Sequence, residues 1–513
     1  MKKLGVILTV MLMLGASLPV VIAYTENIET SSSPIRDGTV LYVGGSGPGN
    51  YTKIQDAIDA ATEGDTIFVY DDSSPYLENV MVNKSVHLMG EHRETTEING
   101  GGNEDVIVIT KDFVTLSDFT LKEPDWYYDG VILSANNTVL TNLSIVNTGY
   151  AFTTRNAHNN IFKDIEISAG RDGMRIVFSD SNVFQRVTFT DNYIGYMAII
   201  QSNRNTISDC TFACGSLAIS QSNNNTIQRN TFLASTGLSL FSANDNLIEE
   251  NTFENPMVSS SDSYRNTVHN NMVNGKPLVY LEGQQDQIVD DAGQVILIHC
   301  EEITVQNLEI ISNGTEASIS IQESADCIIS DNVLLGGWYS IIVDTSKNIL
   351  VSNNTIQNTR YGILDMGGRK NVYSHNMIQN NQYSGLALDR TLRVRVEKNT
   401  FIDNPSIAIV LAAGFFNTIS GNTIKNNYLG IELEYTTFNS VKNNNFIQNK
   451  ANAVFGNALR THWSRNYWDI PRPIPKIIVG AFILPSFTDP WGETIIPFIN
   501  IDKTPRLLPY MEL

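Results

Sequence analysis

From Thr115 to Trp468, apolar and polar residues alternate in short runs. A period of two belongs to strands, not helices. The runs recur. Asn205-Thr-Ile-Ser-Asp-Cys-Thr-Phe212 returns as Asn225-Thr-Ile-Gln-Arg-Asn-Thr-Phe232 and Asn246-Leu-Ile-Glu-Glu-Asn-Thr-Phe253. Far downstream it returns again as Asn417-Thr-Ile-Ser-Gly-Asn-Thr-Ile424. The last apolar residue marks each repeat. Leu121, Ile145, Ile167, Phe189, Phe212, Phe232, Phe253 and Val273 form one series. Leu334, Ile356, Ile378, Phe401, Ile424, Phe446 and Trp468 form a second, with steps of 22 or 23. Helical repeats are longer, and the leucine-rich frame is missing. Three short strands joined by turns make one coil of a parallel β-helix. At ~4.8 Å per coil, roughly 17 coils predict a rod about 80 Å long.

Parity then sorts inward from outward positions. Two residues before the markers stand Asn230, Asn251, Asn271, Asn332, Asn354, Asn376, Asn399, Asn422, Asn444 and Asn466. They share the markers' parity, so they point inward and should hydrogen-bond from coil to coil. In earlier repeats the same column is Phe119, Leu143, Ile165 and Val187. A second column, seven before the marker, holds Asn160, Asn182, Asn205, Asn225, Asn246, Asn266, Asn371, Asn417 and Asn439. It fits a tight turn that needs a left-handed residue. Cys210 replaces Asn in the first column and Cys327 in the second, as small buried substitutes. A Cys210–Cys214 bridge is open to an oxidising compartment.

The ends divide the chain further. Lys2 and Lys3 precede an apolar run ending at Ala23, which reads as a signal peptide over 1–23. An extension over 24–50 follows. The solenoid covers 51–470, with a seam or long loop at 274–310, where the marker step widens to 37. Ile54, Ala57, Ile58 and Ala61 predict a capping helix within 51–61, followed by a strand at Thr66–Tyr70. Residues 471–513 are Pro-rich and read as an extended C-terminal cap over the last coil. The fold class is therefore all-β: a right-handed parallel β-helix with an N-terminal capping helix.

The 513 residues carry 34 Lys plus Arg against 54 Asp plus Glu, a net charge of −20. That excludes a nucleic-acid binder and opposes anionic polymers. After loss of the signal no run is long and apolar enough to span a membrane. The protein is expected to be exported: extracellular, at the cell surface, or periplasmic.

The repeats resemble the right-handed β-helix group called pectin-lyase-like. Thr52-Lys-Ile-Gln-Asp-Ala-Ile-Asp-Ala-Ala61 and Gly64-Asp-Thr-Ile-Phe-Val69 are similar to that group's first coil. Gly293-Gln-Val-Ile-Leu-Ile-His-Cys300 and Asn466-Tyr-Trp-Asp469 resemble NosD-type periplasmic β-helix proteins. That resemblance implies the fold. It also implies a copper-binding accessory role in nitrous-oxide reductase maturation, and calcium where a lyase is the model. It is specific for scaffold and weak for function.

The residues themselves offer little chemistry. The signatures of polygalacturonases, pectin methylesterases and alginate epimerases are absent. Asp71-Asp72 and Asp290-Asp291 read as loop residues. The seven His form no cluster by spacing, so no metal site or cofactor is predicted from the residues. Aromatics give the binding signal. Trp126, Tyr150, Tyr339, Tyr361 and Tyr383 each lie five after a marker, and Tyr428 falls one short of that spacing. They read as sugar-stacking faces or as a column packing the turn. The expected carbohydrate-binding set is Trp126, Tyr127, Tyr128, Tyr150, Arg171, Asp172, Arg175 and Tyr193. No catalytic residue is expected. The expected function is an exported, non-catalytic polysaccharide-binding or structural protein whose partner is a polysaccharide or cell-surface glycan. A polysaccharide lyase or epimerase and a NosD-like copper-binding accessory protein stand as alternatives.

Overall fold

The computed structural model describes residues 38–123, 125–191, 196–470, 474–485 and 493–509. The expected signal segment, 1–23, lies outside them. The strands stack as a parallel β-helix, three to a coil. A coil of the first array is Leu217–Ser220, Thr226–Gln228 and Thr231–Phe232. One of the second is Tyr361–Met366, Val372–Ser374 and Met377–Gln379. Successive coils pair in register, so Ile207, Ile227 and Ile248 lie one above another. About twenty coils form, more than the spacing predicts. The excess lies at the N-terminus, where the strands Val40–Val43, Thr66–Val69 and His87–Gly90 precede the first marker. Among the described residues the one α-helix is Ile54–Ala60. It buries Ile54, Ala57 and Ile58. The Glu78 carboxylate accepts the N–H groups of Ile54 and Gln55 at its start, 2.9 and 3.1 Å away.

The Asn column is an amide ladder. The side-chain N–H of each Asn from Asn332 to Asn444 donates to the next carbonyl oxygen at 2.9–3.0 Å, ending on Asn466. Asp502 terminates it, accepting the backbone and side-chain N–H of Asn466 and the Trp468 indole. Four phenylalanines, Phe189, Phe212, Phe232 and Phe253, stack beside the first-array ladder with centroids 4.6–4.9 Å apart.

The second Asn column corrects the turn expectation. Its members are buried and form a ladder of their own, Asn182 to Asn266, at 3.1 Å per step. The left-handed residue is the one before: Asn159, Ser181, Arg204, Asn224, Asp245 and Arg265 all have φ between 56° and 60°. The turn at that residue swings the following side chain inward. A third ladder, Thr359, Asn381, Asn404, Asn427 and Asn449, lies three after the markers.

Between the arrays the chain reverses. Met272 and Val273 pair antiparallel with Pro277 and Lys276. The strand Lys276–Glu282 then pairs parallel with Gln294–Ile298. All five residues of Gln294–Ile298 are buried. Ile296 and Ile298 join the first core, whereas Val295 and Leu297 join the second. The strand is a wall with a hydrophobic core on each side. Gln294 seals its edge. Its amide donates to the carbonyls of Val258 and Ala317 at 2.9 and 3.0 Å and accepts the Val258 N–H at 3.2 Å. At the C-terminus, Lys476–Pro485 and Glu493–Asp502 form an antiparallel hairpin. Gly480 and Asp502 pair with Phe455 and Trp463 of the preceding coil.

Candidate functional site

Seven of the expected residues lie at or beside one corner of three successive coils. Trp126, Tyr127 and Tyr128 occupy the turn between the strands Thr115–Lys122 and Val131–Leu133. Tyr150 opens the strand Tyr150–Arg155 one coil on, and Asp172 opens Asp172–Val177 one coil further. Register puts Tyr150 beside Asp172 and Thr153 beside Arg175. Tyr193 lies outside the described residues. Tyr127 is 85% exposed and Trp126 is 49% exposed.

Asp129 holds the corner together. Its carboxylate accepts the Tyr150 N–H at 3.0 Å and the Thr153 hydroxyl at 2.6 Å. Its own N–H donates to Asp105 at 2.7 Å. Burial pushes the Asp129 carboxyl above the ordinary range. The Arg171 guanidinium lies over the Tyr150 ring, 5.2 Å from its centroid, and its Nε is 3.4 Å from Asp172. Glu123 sits fully buried at the start of the same turn, where its Oε1 accepts the Asp125 N–H at 3.1 Å. Burial raises its carboxyl as well, and Oε2 finds no partner among the described residues. Glu123 and Asp105 are absent from the sequence-based set. Coil stacking, not adjacency, brings Asp105 beneath Asp129, and a one-coil offset is the signal that would find it.

The later aromatics do a different job. Tyr339, Tyr361 and Tyr383 stack on one another at 5.2 and 5.3 Å. Their ring faces are used internally, as a column packing the turn. Tyr150 likewise has Arg171 on its face. Trp126 and Tyr127 stand exposed at this corner.

A second cluster brings together residues that spacing alone separates. Asp71, Glu91 and His92 place one ligand atom each within 4.8 Å of one another. His92 Nδ1 lies 3.3 Å from Asp71, whose same oxygen accepts the Thr95 hydroxyl at 2.6 Å. That hydrogen bond holds the Asp71 carboxyl below its ordinary range. Glu91 accepts the Asp71 N–H at 3.0 Å.

A family model described as Periplasmic copper-binding protein (NosD) matches residues 35–216, 106–295 and 281–483. The chain belongs to the NosD family. No curated protein matches its sequence significantly. Among solved structures it is similar to an Azotobacter vinelandii mannuronan C-5 epimerase A-module, AlgE4, at 11% identity and TM-score 0.25, covering 72% of this chain and 89% of that one. It is similar to the catalytic domain of a GH87 α-1,3-glucanase at 12% identity and TM-score 0.32, covering 77% and 68%. A PL6 family alginate lyase aligns at 10% identity and TM-score 0.23, covering 83% and 89%.

Among the described residues, the Asp71–Glu91–His92 trio does not fit copper. Copper(I) selects thiolate, thioether and imidazole ligands. The Asp71–Glu91–His92 trio offers one imidazole, and its carboxylates are already committed to Thr95 and the backbone. Burial pushes the Cys210 and Cys327 thiols up to about 12 and about 11, so both stay protonated and enclosed.

Proposed function

We propose that this protein is exported and binds polysaccharide at the 125–175 corner without turning it over. Export rests on the charged-then-apolar start of the chain and accords with the family's periplasmic description. The observation that carries the binding is the exposed Trp126–Tyr127 pair standing beside the Tyr150–Arg171–Asp172 set. Sugar rings present apolar faces to aromatics and hydroxyl edges to charged groups. Contacts of this kind are shallow, and a polymer engaging several of them along a rod gains by avidity. A glycan array with the wild type and a Trp126→Ala/Tyr127→Ala variant tests it. Wild-type binding that the variant loses is expected. A blank wild-type array, or equal binding by the variant, refutes the site.

A second reading, a polysaccharide lyase or epimerase, is favoured by one observation. Glu123 and Asp129 are two carboxyls held above their ordinary range in the same corner as Arg171. Raised carboxyls in a cleft are the usual material of acid–base work. New unsaturated or reducing ends in bound polysaccharide, abolished by Asp129→Asn, would establish this reading in place of the first.

A further inference from the structure

The corner between the long and middle strands of the second array carries an unbalanced charge. Elsewhere in this acidic protein, corner arginines face an aspartate one coil earlier. Arg186 pairs with Asp164, Arg204 with Asp180, Arg229 with Asp209 and Arg265 with Asp245, at 2.6–3.0 Å. In the second array that pattern stops. Lys347 and Arg369 stand in register on adjacent coils. Lys370, beside Arg369 on the same turn, and Arg393, one coil further, are left-handed corner residues with φ of 59° and 57°. All four are exposed. None forms an ion pair among the described residues, where the arginines Arg390 and Arg395 close by do. These four line one surface groove of about 360 Å³, with Asn348 and Leu392.

Like charges stacked coil on coil repel, and the fold gains nothing from them. Beyond the groove the same column of stacked residues continues into exposed aromatics. Phe415 follows Leu392 in the bridge column, and Phe416 stacks on Phe438 at 5.2 Å. Phe415, Phe416 and Phe438 are 45%, 52% and 42% exposed. A run of cations leading to aromatic faces suits a polymer with both negative charge and ring faces.

We infer that this groove binds an anionic, uronate-bearing polysaccharide, with Lys347, Arg369, Lys370 and Arg393 on the carboxylates and Phe415, next in the column, against a sugar ring. The site is separate from the 125–175 corner and stands or falls apart from it. The cations fall on three successive coils about 4.8 Å apart, two of them on the middle coil, whereas duplex DNA carries a charge every ~1.7 Å. The strip therefore matches a polymer with one charge per sugar ring. The net charge of −20 would repel a polyanion at long range. Screening limits that repulsion to about 10 Å at 0.1 M salt, within which the local cations dominate.

The test is affinity electrophoresis of the full protein in gels containing polygalacturonate, a neutral dextran or a single-stranded oligonucleotide, from 20 mM to 300 mM NaCl. The proteins compared are wild type, Lys347→Gln/Arg369→Gln/Lys370→Gln/Arg393→Gln, and Trp126→Ala/Tyr127→Ala. Wild type should be retarded by polygalacturonate, and less so as salt rises. The quadruple variant should lose that retardation by roughly tenfold or more in affinity, with an unchanged circular dichroism spectrum. The Trp126→Ala/Tyr127→Ala variant should keep it. Absence of wild-type retardation overturns the inference, as does retention by the quadruple variant. Stronger retardation by the oligonucleotide than by polygalacturonate overturns it in favour of a nucleic acid. Loss in the Trp126→Ala/Tyr127→Ala variant alone would place the uronate at the other corner and overturn it too.

Discussion

The side-chain carbonyl of Asn399 accepts two hydrogen bonds from Asn376 one coil earlier, from its backbone N–H and its side-chain amide, both at 2.9 Å. The Asn399 amide in turn donates to the Tyr373 carbonyl at 2.8 Å and to Asn422 at 3.0 Å. Each Asn thus satisfies buried backbone groups as well as its neighbours. Asn399→Ala would strip partners from several buried groups at once, at roughly 1–3 kcal/mol each. Chemical denaturation should show a loss of about 3 kcal/mol or more. A loss under 1 kcal/mol would mean the ladder is decorative.

Asp365 predicts an unusual pH dependence. It is fully buried, and it accepts hydrogen bonds from Tyr373, Asn371 and the Gly368 N–H at 2.7–3.0 Å. Burial nevertheless raises its carboxyl from 3.8 to about 6. The folded state therefore favours the neutral form. Its contribution is complete below pH 4, falls as pH rises to 6, and is then gone, a change of about 3 kcal/mol. Melting temperatures of wild type and Asp365→Asn from pH 4 to 7 measure it. The wild type should lose stability relative to the variant across that window, and parallel curves would contradict the assignment.

The wall between the cores rests on Gln294. Replacing it by Ala would leave the Val258 N–H and carbonyl without their partners. With the Ala317 carbonyl, three buried groups lose a partner, which predicts a loss of about 3 kcal/mol or more, visible as a lower melting temperature. An unchanged melting temperature would show that water replaces the amide.

The Cys210 and Cys327 thiols should be inert, and copper should find no tight site. In the native protein a thiol reagent should leave Cys210 and Cys327 unlabelled, since both are at most 1% exposed. Copper(I) or copper(II) at tenfold excess should not shift the melting temperature. Rapid labelling of Cys210, or a shift of several degrees with one equivalent of copper, would overturn the reading of these donors. Cys210→Ser should be mild, near 1 kcal/mol, because Cys210 Sγ already lies 3.3 Å from the Ser208 carbonyl, where a serine hydroxyl can donate.

Much of this scaffold is legible in the repeat. The markers set the parity, and parity places Asn230 and Asn354 inside, as observed. The left-handed position is misjudged by one residue, since Asn is favoured both in left-handed turns and in buried ladders. The period alone cannot separate the two uses. Within the wall Gln294–Ile298, Val295–Ile298 is an uninterrupted apolar run, the mark of a strand buried on both faces, and it carries no alternation from which its two faces could be told apart. The corner at Trp126 is legible because its aromatics are adjacent in sequence. Asp105 beneath Asp129 and the Lys347–Arg369 register are not, because one coil of chain separates each pair.

The most direct test of polysaccharide binding is a map of backbone hydrogen exchange with and without a glycan selected on the array. Binding at the proposed corner predicts slower exchange in 125–130, 147–150 and 169–172, where the turns of successive coils meet. Segments on the opposite sheets should not change. Protection absent from those turns, with a glycan that loses binding to the Trp126→Ala/Tyr127→Ala variant, would contradict the account.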